Sequence, residues 1–95
     1  MAMSHDGLTK LIEECGELTQ IAAKKIAYFD TDEHPDGKGS MKARMEEELA
    51  DVMAACAFVM VQFNLDQTFI RERQLDKLEP VYNMAFTALS STGSS

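Results

Sequence analysis

Residues 45–63 read MEEELADVMAACAFVMVQF, and from Leu49 to Val61 every position but Asp51 is apolar. A helix with that composition has no polar stripe, so the pattern predicts a central helix covered on nearly all sides. A carboxylate inside such a segment costs several kcal/mol to desolvate unless it is neutralised, hydrogen-bonded or bound to a cation. Asp51 is therefore the first residue that asks for a chemical explanation. Glu47 and Glu48 precede it by one turn, a spacing that sets both on its side of the helix.

Upstream of that segment, Leu8, Leu11, Ile12, Cys15, Leu18, Ala22, Ile26 and Phe29 recur largely at spacings of three and four. They predict an amphipathic helix over about 8–29, with Asp6 placed to cap its start. Gly16 within it costs about 1 kcal/mol relative to Ala, which marks either plain helix packing or the close approach of another backbone or a ligand. Glu13, Glu14 and Glu17 flank the apolar stripe, and Lys25 falls near Glu14's line three turns on.

The intervening DTDEHPDGKGS, residues 30–40, reads as a loop. Aligned with a calcium-binding EF-hand from Asp32, it places Ala43 where the bidentate glutamate is required, so that reading fails. A hydrated connector remains, with Lys38 between two glycines as a phosphate contact. Ser40 caps the second helix, which runs to about Phe63. Asn64 and Asp66 break the chain before a third helix over about 67–79, carrying Phe69, Ile70, Leu75 and Leu78 among Arg71, Arg73 and Lys77. Beyond Pro80, residues 81–89 form either a short fourth helix or a bent extension of the third. The tail SSTGSS, 90–95, has nothing to bury and is expected to be disordered. The expected fold is a single all-α domain over 1–89, an antiparallel bundle of three to four helices. At 95 residues it is completed by oligomerisation.

Composition narrows the function. An apolar fraction of 45% supplies a core, and a net charge of −7 disfavours non-specific nucleic-acid binding, which depends on Lys and Arg against phosphates. An acidic protein that handles phosphates needs a cation between them. Cys15 and Cys56 match no zinc or redox spacing and read as buried free thiols in a reducing, cytoplasmic setting. The N-terminus has no basic region leading into an apolar one, and the run 52–61 is too short to span a bilayer. No secretion or membrane insertion is expected.

Two helices thus present carboxylate pairs one turn apart, Glu14 with Glu17 and Glu48 with Asp51. Each pair alone is an ordinary surface spacing. If the helices pack antiparallel, the four acids face one another, and their mutual repulsion and hard oxygen donors suit Mg²⁺ or Mn²⁺. A ferritin-like di-metal site would need Glu-x-x-His pairs, whereas His5 and His34 fall at the start and in the loop.

The runs LIEECGELTQIAAKK at 11–25 and EEELADVMAA at 46–55 resemble the MazG-like nucleotide pyrophosphohydrolases of the all-α NTP pyrophosphatase group. The shared pattern is E-x-x-E with a glycine before its last glutamate, then E-x-x-D on the next helix, and it covers about 8–63. The resemblance implies a helical bundle assembled as a homodimer or homotetramer, with Mg²⁺ held by Glu14, Glu17, Glu48 and Asp51. It implies a nucleoside triphosphate pyrophosphohydrolase, yielding the monophosphate and pyrophosphate, with no nucleic acid or membrane as partner. Glu13 and Glu47 adjoin the motif and would support the ligands or hold a further ion. Lys25, Lys38, Arg73 and Lys77 would meet the phosphates. The chain departs from the pattern in lacking tryptophan, leaving Tyr28, Phe29, Tyr82 or Phe86 to select a base. The long 30–40 loop is a second departure. The alternative is a non-catalytic helical dimerisation or regulatory module of the same fold.

Overall fold

A computed structural model describes residues 6–93, with side chains through 82 and at 84. The protein is all-helical, with α1 at Asp6–Ala27, α2 at Met41–Gln62 and α3 at Gln67–Gly93. The described residues hold no strand, only an isolated bridge between Glu33 and Ser40. The chain divides into two compact units, Met1–Leu65 and Asp66–Ser95.

In the first unit α1 and α2 form an antiparallel hairpin. The pairing follows from which residues meet: Gly7 lies against Phe58 and Gln62, Glu14 stands beside Asp51, and Lys24 shares a cleft with Arg44. Ile21, Met41, Ala55 and Val59 are buried, and Met41 is fully enclosed. Gly7 marks a close approach, because a Cβ there would collide with Gln62 Oε1 and come within 2.9 Å of the Phe58 ring.

The expectation that α2 is covered nearly all round is not met. Only Met41, Ala55 and Val59 are buried along it, while Leu49, Met53, Phe58 and Val61 are exposed. Within this unit α1 is the single partner helix, and one helix covers only one stripe of another. Asp51, one turn before the buried Ala55, is exposed rather than buried. Cys15 is likewise exposed, and Cys56 is half-buried.

The 30–40 segment is more than a hydrated connector. The Asp32 carbonyl accepts from Met41 N–H (2.6 Å) and its Oδ1 from Lys42 N–H (3.0 Å). Ser40 Oγ accepts from Ala43 N–H as the expected N-cap (3.0 Å). Gly37 and Gly39 take φ of 72° and 118°, conformations that favour glycine. His34, in the middle of this polar stretch, is buried.

Asn64 adopts a left-handed φ of 49°, and Asp66 Oδ1 accepts from Phe69 N–H at 2.9 Å, opening α3. The second unit is that one helix, with Pro80 inside it. The extension therefore prevails over a separate fourth helix, although proline supplies no N–H to the turn before it. The helix reaches Gly93, past the expected onset of an unstructured tail at 90, and residues 94–95 lie outside the described residues. Among the described residues no helix is long and apolar enough to cross a membrane.

Candidate metal centre

Glu14, Glu17 and Ile21 follow one another at three and four residues on α1, as Glu48, Asp51, Ala55 and Val59 do on α2. The buried members, Ile21, Ala55 and Val59, anchor the seam between the helices. Helical periodicity then carries the acids one and two turns away toward the same seam. One carboxylate oxygen from each of Glu14, Glu17, Glu48 and Asp51 lies within 4.8 Å of all the others.

The four environments differ. Glu14 is the deeply buried acid, 5% exposed, and its Oε1 pairs with Lys10 Nζ at 3.0 Å. Glu48 is half-buried, and Glu17 and Asp51 are exposed. Glu14 Oε2 and Glu48 Oε2 are buried with no hydrogen-bond partner. The burial argument attached to Asp51 therefore belongs to Glu14, because the seam with α1, not the apolar run of α2, determines which acid is enclosed. Burial first, then a hydrogen bond with Glu17 and the charges of Glu17, Asp51 and Glu14, pushes the Glu48 carboxyl above its ordinary 4.5. Lys10 is raised above 10.5, chiefly by its hydrogen bond and charge pairing with Glu14.

Like charges at this spacing and two orphaned buried oxygens are unfavourable on their own. A divalent cation answers both, and four hard oxygen donors are the set that Mg²⁺ or Mn²⁺ takes. The residues present fit such an ion.

The other sequence-nominated residues are dispersed. Glu13 is exposed, 3.8 Å from Lys10, and Glu47 is exposed on α2. Lys25 is turned to the end of its own helix, donating from Nζ to Phe29 O (3.3 Å) and Thr31 O (3.0 Å). Lys38 lies in the loop turn, its backbone N–H donating to Asp36 Oδ1 at 2.9 Å. Arg73 and Lys77 are exposed on α3, in the second unit. Tyr28, Phe29 and Tyr82 are exposed, and the Phe86 side chain lies outside the described residues.

Two open cavities flank the tetrad. One, of about 300 Å³, is polar and lies between α1, the loop and the start of α2, lined by Glu17, Gln20, Ile21, Lys24, His34, Arg44 and Glu48. The other, of about 360 Å³, is more apolar and is lined by Lys10, Glu14, Asp51, Ala54, Ala55 and Phe58. Sequence reasoning missed Lys10, Lys24, His34 and Arg44. The i,i+4 spacing of Lys10 to Glu14 could have revealed the first. Lys24 follows Glu17 by seven residues on the same helix face, a second available signal. Arg44 stands one turn before Glu48 on α2, again an i,i+4 signal, whereas His34 carries no periodic signal, since the loop alone brings it to the cleft. Compared with known proteins, the chain matches no protein family, no curated protein and no solved structure.

Proposed function

We propose that this protein is a Mg²⁺-dependent nucleoside triphosphate pyrophosphohydrolase of MazG-like type, with Mn²⁺ as an alternative ion. The observation that carries the reading is the tetrad of Glu14, Glu17, Glu48 and Asp51, converging from two helices within 4.8 Å, with buried and unpartnered oxygens on Glu14 and Glu48. In the reaction a water oxygen bonds to the α-phosphorus. The bond from that phosphorus to the α,β-bridging oxygen breaks, with its electron pair leaving on pyrophosphate. The ion held by the four carboxylates would offset charge on the phosphate oxygens and make the water more acidic. Lys10 pairs with Glu14 through Oε1, and the unpartnered Oε2 is the oxygen that would remain for an ion. The more exposed Glu17 and Asp51 form the open side from which substrate and water arrive, and a carboxylate of the set receives the water's proton.

A non-catalytic module of the same fold would have to bear Glu14 buried with an orphaned oxygen and no compensating ligand. Assembly as a homodimer or homotetramer agrees with the apolar side chains left open: Ile12 and Val61 are each 73% exposed and Met53 67%. A cytoplasmic location agrees with free cysteines at Cys15 and Cys56.

The test is release of pyrophosphate and monophosphate from a panel of ribo- and deoxyribonucleoside triphosphates with Mg²⁺ or Mn²⁺, for wild type and Asp51→Asn. Cleavage by the wild type that is lost in the variant supports the assignment, and the panel ranks the bases. Inertness of the wild type toward every nucleotide with both metals refutes it.

A further inference from the structure

The polar cleft beside the tetrad gathers basic groups that the four-carboxylate motif does not account for. We infer that Lys24, Arg44 and His34 form the subsite for the terminal two phosphates of the substrate, the part that departs as pyrophosphate; this rests on the pyrophosphohydrolase reading. The cleft's volume is about 300 Å³, the low end for a ligand pocket and suited to a compact anion rather than a whole nucleotide. Glu17 and Glu48 line the same cleft, so an anion seated there abuts the ion site directly.

Each basic group is set for the purpose. Lys24 forms no ion pair with any carboxylate among the described residues, although the protein carries a net charge of −7. Arg44 is gripped from one side, its Nη2 donating to Asp36 Oδ2 at 2.7 Å, and the rest of its donor fork is left to a second anion. His34 is 5% exposed yet lines the cleft. Its Nδ1 sits 2.9 Å from Asp36 Oδ1 and 3.1 Å from Asp36 N. One ring edge is thus committed to Asp36 in either tautomer, and Nε2 has no hydrogen bond among the described residues. Asp36 holds both cleft residues, so it is a positioning residue, and a loop with this internal bonding is more than a tether between helices.

The arrangement also orients the substrate. With the terminal phosphates on the Lys24 side, the α-phosphorus falls at the tetrad and the nucleoside lies toward Ala54, Ala55 and Phe58 across it. That wall is the more apolar of the two.

The experiment is calorimetric binding of inorganic pyrophosphate to the full chain in excess Mg²⁺, for wild type, Lys24→Ala, Arg44→Ala, Arg44→Lys and Lys42→Ala. Loss of one charged hydrogen-bond donor is expected to weaken binding about tenfold or more. Lys24→Ala and Arg44→Ala should each do so, Arg44→Lys should recover part of the loss, and Lys42→Ala, which changes net charge outside the cleft, should bind as wild type. The thermal shift on adding Mg²⁺ alone should be unchanged in Lys24→Ala, which shows that the variant folds and keeps its ion site. Wild-type pyrophosphate affinity in both Lys24→Ala and Arg44→Ala overturns the inference, as does an absence of pyrophosphate binding in the wild type. Binding is read without turnover, so Lys24-dependent affinity in a protein that cleaves no nucleotide would sink the hydrolase reading and leave the diphosphate subsite standing.

Discussion

Replacing Glu48 by glutamine should make the metal-free protein more stable and the metal-loaded protein less so than the wild type. The four ligand oxygens lie within 4.8 Å of one another. Two unit charges at that separation repel by about 3.5 kcal/mol at an effective dielectric near 20 and about 0.9 kcal/mol in bulk water. Glu17 and Asp51 are exposed, which favours the lower figure. A net gain of about 1–2 kcal/mol for Glu48→Gln without metal follows, or roughly 5–10 °C in Tm for a domain of this size. The gain should shrink as pH falls through the raised pKa of Glu48 toward 4.5, because there the wild type acquires its own proton. Magnesium at a hundred times its Kd adds about 2.7 kcal/mol to the wild type and much less to a variant lacking one ligand. Thermal melts in EDTA and in Mg²⁺ should therefore rank the two proteins in opposite orders. A variant less stable than wild type in EDTA, or one stabilised equally by Mg²⁺, would refute the account of a repulsive tetrad relieved by a cation.

Two further outcomes are expected. Gly16→Ala should raise stability by about 0.5–1 kcal/mol in denaturant titration, since nothing lies within 4 Å of the added Cβ and alanine is the better helix former; a loss instead would mean that a second copy or a ligand approaches this face. Asp36 is held down to about 2 by the Lys38 N–H, Arg44 and His34. A depressed carboxyl stabilises the fold above its unfolded value and loses that contribution as pH falls through the folded one. The stability difference between wild type and Asp36→Asn should thus be constant near neutrality and vanish between pH 3.8 and about 2. A difference that persists at pH 2 would show that Asp36 acts through something other than its charge.

The helices were legible because apolar spacing survives in a linear string. Leu8 to Phe29 signalled α1, the run after Leu49 signalled α2, and Ser40 marked where α2 begins. The two carboxylate pairs were legible for the same reason: helical period assigns residues three apart to one face before any partner is known. Their convergence needed the partner. It follows from the antiparallel register that sets Gly7 against Phe58 and Gln62. That register also encloses Glu14 while leaving Asp51 in the open, the reverse of what hydropathy along α2 implied. Burial belongs to a pair of surfaces, and composition along one helix does not name the other. His34 illustrates the limit most plainly. It sits in an aperiodic loop and meets Arg44, which α2 itself carries one turn before Glu48, in one cleft where Asp36 contacts both. Local spacing accounts for the helices and the acids they carry, whereas packing between α1, the loop and α2 determines which acid is buried and which bases face the site.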